Sequence, residues 1–310
     1  MTPVQQGRFG AVVTAMVTPF DDAGGLDLDA AAQLARWLAA HGSDALVVAG
    51  TTGEGSVLDD EEKLDLWRAV AEAVTVPVIA ATGSNDTRHS VELTAQAAAI
   101  GAAGCLVVTP YYNRPSQAGL VGHFTAVASA TDLPVVLYDI PVRTGRRIEG
   151  PTLLALARDV PNIVGVKDAA GDVVGAARTI ARAPAGFDWY SGDDAYTLPL
   201  LSVGAVGVVS VAGHWVGPAL NQLVTTFRRG DVDGARALNA GLVDAIAFQS
   251  SDTHPNPMPA KAVCRAMGLP VGQCRLPMGP AGADLDDRAR ALVAELGTAL
   301  AGSGVGGAGA

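Results

Sequence analysis

The sequence predicts an α/β protein, a (β/α)8 TIM barrel followed by a C-terminal helical domain, and three observations predict it. Eight short apolar runs, rich in Val and free of polar alternation, recur between residues 11 and 211. Such runs suit strands buried on both faces, as in a parallel sheet covered by helices. Stretches at helical spacing separate most of them. Eight such units have the size of a closed barrel, an open doubly wound sheet being the competing arrangement.

In chain order, the first strand is read over Ala11 to Val17 and the first helix over Asp29 to His41, where Ala31, Leu34 and Leu38 share a face. Ala45 to Ala49 is the second strand. The helix after it opens on Asp59 and Glu62, at capping-box spacing, and continues through Leu64, Trp67, Ala71 and Val74. The remaining strands are Val78 to Ala81, Cys105 to Val108, Val135 to Tyr138, Ile163 to Lys167, Trp189 to Ser191 and Gly207 to Val211. Helices are expected near 87–101, 117–130, 151–159, 172–182 and 195–202. Beyond residue 217 the pattern is helical only, over 218–229, 231–249, 257–267 and 285–300. The chain thus divides into a (β/α)8 barrel (1–230), a helical domain (231–301) and a Gly/Ala tail (302–310) expected to be disordered. That tail spells Gly302-x-Gly304-x-x-Gly307, a dinucleotide fingerprint in letters only, because no strand precedes it.

Composition narrows the function. The chain has 310 residues, 49% hydrophobic and 17% charged, as soluble globular proteins do. Its net charge of −10 repels phosphate backbones, so nucleic acid is not an expected partner. Apolar runs such as Ala45 to Ala49 are far shorter than a membrane span. Met1 to Gly10 carries no basic stretch followed by an apolar one, which predicts a cytoplasmic protein. Cys105, Cys264 and Cys274 form no Cys-x-x-Cys pair and read as reduced, structural thiols. The five histidines lack metal-ligand spacing, and neither a Gly-x-Ser-x-Gly elbow nor a Walker-type loop occurs. No metal and no cofactor is expected.

In a barrel the reactive groups gather at the carboxyl ends of the strands. Lysine is scarce, only Lys63, Lys167 and Lys261 being present. Lys63 stands among acids and reads as part of a solvated helix face, Lys261 is ambiguous, and Lys167 closes the apolar sixth strand. Burial lowers an amine's pKa. At its ordinary pKa of about 10.4 an amine is neutral in about one molecule in 2,500 at pH 7, and at a pKa of about 7 in half of them. Only the neutral form attacks a carbonyl, so Lys167 is either a Schiff-base nucleophile or a buried lysine paired with Asp168 or another acid. Tyr138 lies 29 residues earlier, about one β-α unit, and is either a proton carrier at the same rim or a core tyrosine. Thr51 and Thr52, between Gly50 and Gly53, suit a small carboxylate or form a plain turn.

Several runs of the chain closely resemble those of the dihydrodipicolinate synthase family, also called 4-hydroxy-tetrahydrodipicolinate synthase. They are Gly-Thr-Thr-Gly-Glu (50–54), Thr-Pro-Tyr-Tyr-Asn-Arg-Pro-Ser-Gln (109–117), Tyr-Asp-Ile-Pro-Val-Arg-Thr-Gly (138–145), Gly-Val-Lys-Asp (165–168), Ser-Gly-Asp-Asp (191–194), Pro-Asn-Pro-Met-Pro (255–259) and Arg-Leu-Pro-Met (275–278). The likeness implies a lysine-dependent class I lyase, usually a tetramer of two tight dimers. Pyruvate would condense with Lys167, and the enamine would attack the aldehyde of L-aspartate semialdehyde. Tyr138, Thr51 and Tyr112 match the proton-relay triad, Tyr112 reaching in from the adjacent subunit. Thr51 and Thr52 match the pyruvate-carboxylate site, Arg143 the grip on the semialdehyde carboxylate, and Gly192 and Val209 positions lining the pocket. Gly55 stands where many members have Ser, and Asp139 replaces the commoner Asn.

The resemblance also implies an effector groove for free lysine, with Asn85 and Tyr111 at matching positions but His89 in place of an acid and Lys63 in place of a histidine. That exchange predicts weak or absent inhibition by L-lysine. Competing functions are another pyruvate-dependent aldolase, such as N-acetylneuraminate lyase or a 2-keto-3-deoxy sugar acid aldolase, and a non-catalytic small-acid sensor. Thr51-Thr52, Tyr112 and Arg143 favour the synthase over the aldolases, and Lys167, Tyr138, Thr51, Tyr112 and Arg143 together argue against a sensor, which has no need of a nucleophile.

Overall fold

The computed structural model describes residues 6–302. Eight strands, β1 (Val12–Ala15), β2 (Ala45–Val48), β3 (Val78–Ala81), β4 (Gly104–Val108), β5 (Val135–Asp139), β6 (Ile163–Asp168), β7 (Asp188–Ser191) and β8 (Gly207–Ser210), pair in parallel in chain order, and β8 returns to β1 to close the barrel. The open sheet is thereby excluded. Helices α1 (Leu28–Ala40), α2 (Asp60–Ala73), α3 (Thr87–Ala99), α4 (Gln117–Ala128), α5 (Pro141–Thr144), α6 (Gly150–Asp159), α7 (Val173–Ile180), α8 (Thr197–Leu201) and α9 (Gly213–Arg228) fall between and after the strands. Three more follow, α10 (Val232–Ala247), α11 (Met258–Ala266) and α12 (Ala283–Gly302).

Local chemistry explains the helix starts. Asp59 and Glu62 form the expected capping box at α2, each accepting from the other's backbone N–H. Strand alternation divides the apolar residues into two layers. Leu46, Val107, Leu137 and Val166 pack outward against the helices, whereas Val47, Leu106, Val136 and Val209 fill the barrel.

The structure departs from the sequence reading at several places. β1 ends at Ala15 and β2 at Val48, where Ala49 takes a left-handed φ of 59° that no strand tolerates. The helix expected over 218–229 begins at Gly213, since Pro218 sits in the first turn after a kink at Val216 (φ −127°, ψ 24°) and interrupts no helical hydrogen bond. Helix α5 was not anticipated, being a single turn opened by Pro141. Lys63 is not on a solvated face: it is 9% exposed, and its amine lies 3.4 Å from Asp60. The tail after Gly302 lies outside the described residues.

The helices after the barrel are tied to it by buried charge. Lys261 of α11, completely buried, pairs with Glu54 of the β2–α2 loop at 2.6 Å, donates to the Gln273 carbonyl at 2.9 Å and stands 4.1 Å over the Phe20 ring. Arg275 lies 4.2 Å from the same ring, and its N–H bonds the other Glu54 oxygen at 2.9 Å. Removing one partner of such a pair strands the other without water. Glu54→Gln should therefore lower unfolding stability by about 3 to 5 kcal/mol, and Glu54→Gln/Lys261→Met should recover most of it. Urea titrations of the three proteins measure both.

Candidate active site

The site begins with strand register. Tyr138 on β5 and Lys167 on β6 are partners, and alternation turns both side chains into the barrel. Lys167 is 4% exposed, and its Nζ lies 4.2 Å from the centre of the Tyr138 ring. Asp168 points the other way and is occupied by the Trp189 indole N–H at 3.1 Å. Among the described residues no carboxylate lies within ion-pair distance of Lys167, so the alternative of a simple buried pair does not hold.

Burial lowers the Lys167 amine to about 8, opposed by the charge of Asp194 and assisted by Arg143. A pKa of about 8 leaves about one amine in ten neutral at pH 7. Burial raises the Tyr138 phenol to about 12, with Arg143 and the nearby Thr51 side chain pulling it back. The phenol is thus kept protonated beside an amine that is partly neutral, an arrangement able to move a proton to and from a carbinolamine.

Thr51 and Thr52 stand on a loop bent by left-handed φ at Ala49 (59°) and Glu54 (54°). At Gly55 a Cβ would sit 1.9 Å from the Ala49 carbonyl oxygen, so this form of the loop requires glycine there. Thr51 meets the Tyr138 phenol, while Thr52 is buried and receives the Asn256 side-chain N–H at 3.0 Å. The Asn256 carbonyl in turn accepts from the Arg143 guanidinium at 3.4 Å. Arg143, on the single turn α5, is thereby held at the mouth. Gly192 closes β7 where a Cβ would meet Ala169 at 2.9 Å, and Val209 packs in the barrel interior with Tyr138.

Tyr112 is not gathered with these groups. It is 91% exposed with φ 72°. Two residues were missed in the sequence reading. Asp194 is a buried carboxylate bonded to the Ser210 hydroxyl and to the Val211 N–H at 2.9 Å, and it sets charge opposite Lys167. Asn256 joins Thr52 to Arg143. Both lie in quoted runs, Ser-Gly-Asp-Asp and Pro-Asn-Pro-Met-Pro, which were their only signal.

A cavity of about 580 Å³ runs from Thr51, Tyr138 and Arg143 to a groove lined by Asp60, Lys63, His89 and Tyr111. In the groove Asp60 takes both Lys63, at 3.4 Å, and His89, at 2.9 Å. The lining therefore contains two carboxylates, Asp60, already engaged twice, and Asp86, which caps α3 by accepting the Arg88 and His89 N–H groups. Among the described residues no cluster of three or more His, Cys, Asp or Glu is placed to hold a metal ion.

The model of the Dihydrodipicolinate synthetase family matches residues 8–296. The chain is 47% identical over 292 residues to the 4-hydroxy-tetrahydrodipicolinate synthase of Moorella thermoacetica, covering 94% of this chain and 99% of that protein. Against the enzyme of the same description from Acidothermus cellulolyticus it is 48% identical over 300 residues, 96% and 95% of the two chains. Its backbone is similar to that of a dihydrodipicolinate synthase from Cyanidioschyzon merolae solved with lysine bound, with a TM-score of 0.91 and 42% identity over 94% of this chain and 99% of that one. A dihydrodipicolinate synthase from Bacillus anthracis gives 0.89 and 40%, over 93% and 99%.

The lowered amine makes a pH prediction with a definite sign. Only neutral Lys167 is nucleophilic, and its neutral fraction grows as pH rises toward its pKa. Its modification by an amine-directed reagent, followed by peptide mass analysis, should speed up about tenfold from pH 6 to 7 and level off above about pH 8. An exposed lysine would still be accelerating there.

Proposed function

The chain belongs to the dihydrodipicolinate synthetase family, and from that premise we propose how its residues divide the work. The reaction is the Schiff-base-dependent condensation of pyruvate with L-aspartate semialdehyde to 4-hydroxy-tetrahydrodipicolinate, a lyase step of class I aldolase type in the diaminopimelate route to lysine. The observation that carries the assignment of roles is the juxtaposition of a buried, partly neutral Lys167 with a protonated Tyr138.

Lys167 adds to the pyruvate carbonyl, and the carbinolamine loses water to become an imine. Loss of a methyl proton gives the enamine, whose terminal carbon attacks the semialdehyde carbonyl. The amine of the incoming substrate then displaces Lys167 and closes the ring. Tyr138 and Thr51 pass the protons, which the nearness of the Thr51 side chain to the phenol favours. Thr51 and Thr52 take the pyruvate carboxylate, Arg143 the semialdehyde carboxylate, and Gly192 and Val209 shape the pocket. A guanidinium suits the second carboxylate because it can bind both oxygens. Tyr112 completes the relay in a neighbouring copy of the chain, a role consistent with its exposure. The working form is a cytoplasmic homotetramer built from two tight dimers. Among the described residues no helix is long and apolar enough to cross a membrane.

The direct test is borohydride reduction in the presence of pyruvate, with the adduct located by mass spectrometry and the product followed with aspartate semialdehyde. The adduct should form on Lys167 and on neither Lys63 nor Lys261, and Lys167→Ala should lose nearly all turnover while remaining folded. Arg143→Ala should weaken aspartate semialdehyde by about ten- to a hundredfold, as loss of a charge-assisted hydrogen bond does, with pyruvate little changed. Equal weakening of both would reassign Arg143. L-Lysine should inhibit weakly or not at all, because Asp60 is already engaged by Lys63 and His89 and Asp86 is engaged in capping α3; half-inhibition at sub-millimolar lysine in a rate titration would contradict this.

A further inference from the structure

Behind the wall that carries Tyr138 and Lys167, the next residue on each strand is an acid. Asp139 follows Tyr138 on β5, Asp168 follows Lys167 on β6, and the two acids are partners in the register. Alternation turns both away from the barrel interior. They are 5% and 4% exposed. Two buried carboxylates on adjacent strands oppose each other's ionisation.

Their surroundings differ. Asp168 has a hydrogen-bond donor on each oxygen, the Ala170 N–H at 2.9 Å and the Trp189 indole at 3.1 Å. Asp139 accepts the Ile148 N–H at 3.1 Å on one oxygen, and its other oxygen faces the Arg147 Nε at 3.9 Å. Arg147 is bound more closely to Asp172, the capping residue of α7, at 2.8 Å. The charged groups facing Asp139 are therefore Asp168 from β6 and Arg147 from the segment before α6, with Asp172 behind that guanidinium. One guanidinium is shared between a half-exposed acid and a buried one, so its hold on Asp139 depends on whether Asp139 is charged.

The backbone at this point is a junction. The Tyr138 carbonyl accepts from the Thr109 N–H at 2.9 Å, and the Asp139 carbonyl accepts from the Ala169 N–H at 2.8 Å. The segment that bears Arg147 and Ile148 is the return from the turn that bears Arg143. We infer that Asp139 is a positioning residue: its carboxylate, held by Arg147 and the Ile148 N–H, fixes the end of β5 and with it Tyr138, and its protonation releases that hold. The inference rests on the reading of Lys167 and Tyr138 given above. Burial, reinforced by the charge of Asp168, raises the Asp139 carboxyl to about 7, which sets the change in a working pH range.

The test uses Asp139→Asn, which keeps the shape and the acceptor for Ile148 but cannot ionise. Turnover (kcat/KM) and pyruvate trapping are measured for both proteins between about pH 5.5 and about pH 8.5. The ratio of wild type to variant should rise with pH as a one-proton step near 7, by about tenfold, as a small misplacement of a reacting group costs. A ratio that stays flat or falls would overturn the inference. The midpoint itself is read from the Asp139 carboxyl carbon by NMR. Arg147→Gln should raise it by about 1 unit or more and Asp168→Asn should lower it, two opposed shifts that carry the test if Asp139→Asn does not fold. Shifts in the same direction would overturn the clamp. Trapping on a lysine other than Lys167 would overturn the site reading and the clamp with it, whereas trapping on Lys167 with matching pH profiles would overturn the clamp alone.

Discussion

The constraint on which everything else depends is the β5–β6 register inside a closed barrel. Closure leaves no edge, so the pairing of Tyr138 with Lys167 cannot slip without moving every inward side chain to the other face. That pairing holds an amine against an aromatic ring and a phenol, away from any carboxylate that would pin it as an ammonium. The same alternation places Asp139 and Asp168 behind the wall, where their charges act on the strand ends without touching the reacting groups.

The helices after the barrel contribute more than cover. Lys261 and Arg275 bracket Phe20 and hold Glu54, the residue that ends the Gly-Thr-Thr-Gly-Glu loop. Asn256 joins Thr52 to Arg143, the groups assigned to the two substrate carboxylates. The loop and the turn proposed to receive the two substrates are thus referenced to a common support. Lysine at position 261 has the scarcity and burial expected of a nucleophile, yet an ion pair and a carbonyl consume its amine. Burial alone does not make a lysine reactive; the absence of a tight carboxylate partner does.

The groove beside the site follows the same logic. Asn85, Tyr111, His89 and Lys63 are the groove positions that the family resemblance implies, and Asp60 is not among them. In the structure Asp60 stands between Lys63 and His89 and screens both, and the neighbouring Asp86 is engaged as the cap of α3, so the groove is less cationic than its two exchanged residues suggest while its carboxylates are already occupied.

The sequence by itself determined a parallel sheet covered by helices and of barrel size, because eight unalternating apolar runs separated by helical stretches can bury both strand faces only under a layer of helices; the pairing of β8 with β1, which closes the sheet, was decided by the tertiary structure. It also marked Lys167, Tyr138, Thr51 and Thr52, since a residue's position at a strand end can be counted along the chain, and Arg143 through the family resemblance of the run around it. Side-chain partners chosen across large separations could not be counted in that way. Asn256 meets Thr52 across 204 positions, Lys261 finds Glu54 only once α11 packs on the barrel, and Lys63 is buried by a wall that its own acidic neighbours do not reveal. Periodicity reports which face of an element is apolar, whereas the identity of the group that meets a buried charge is a property of packing, and only the tertiary structure decided it.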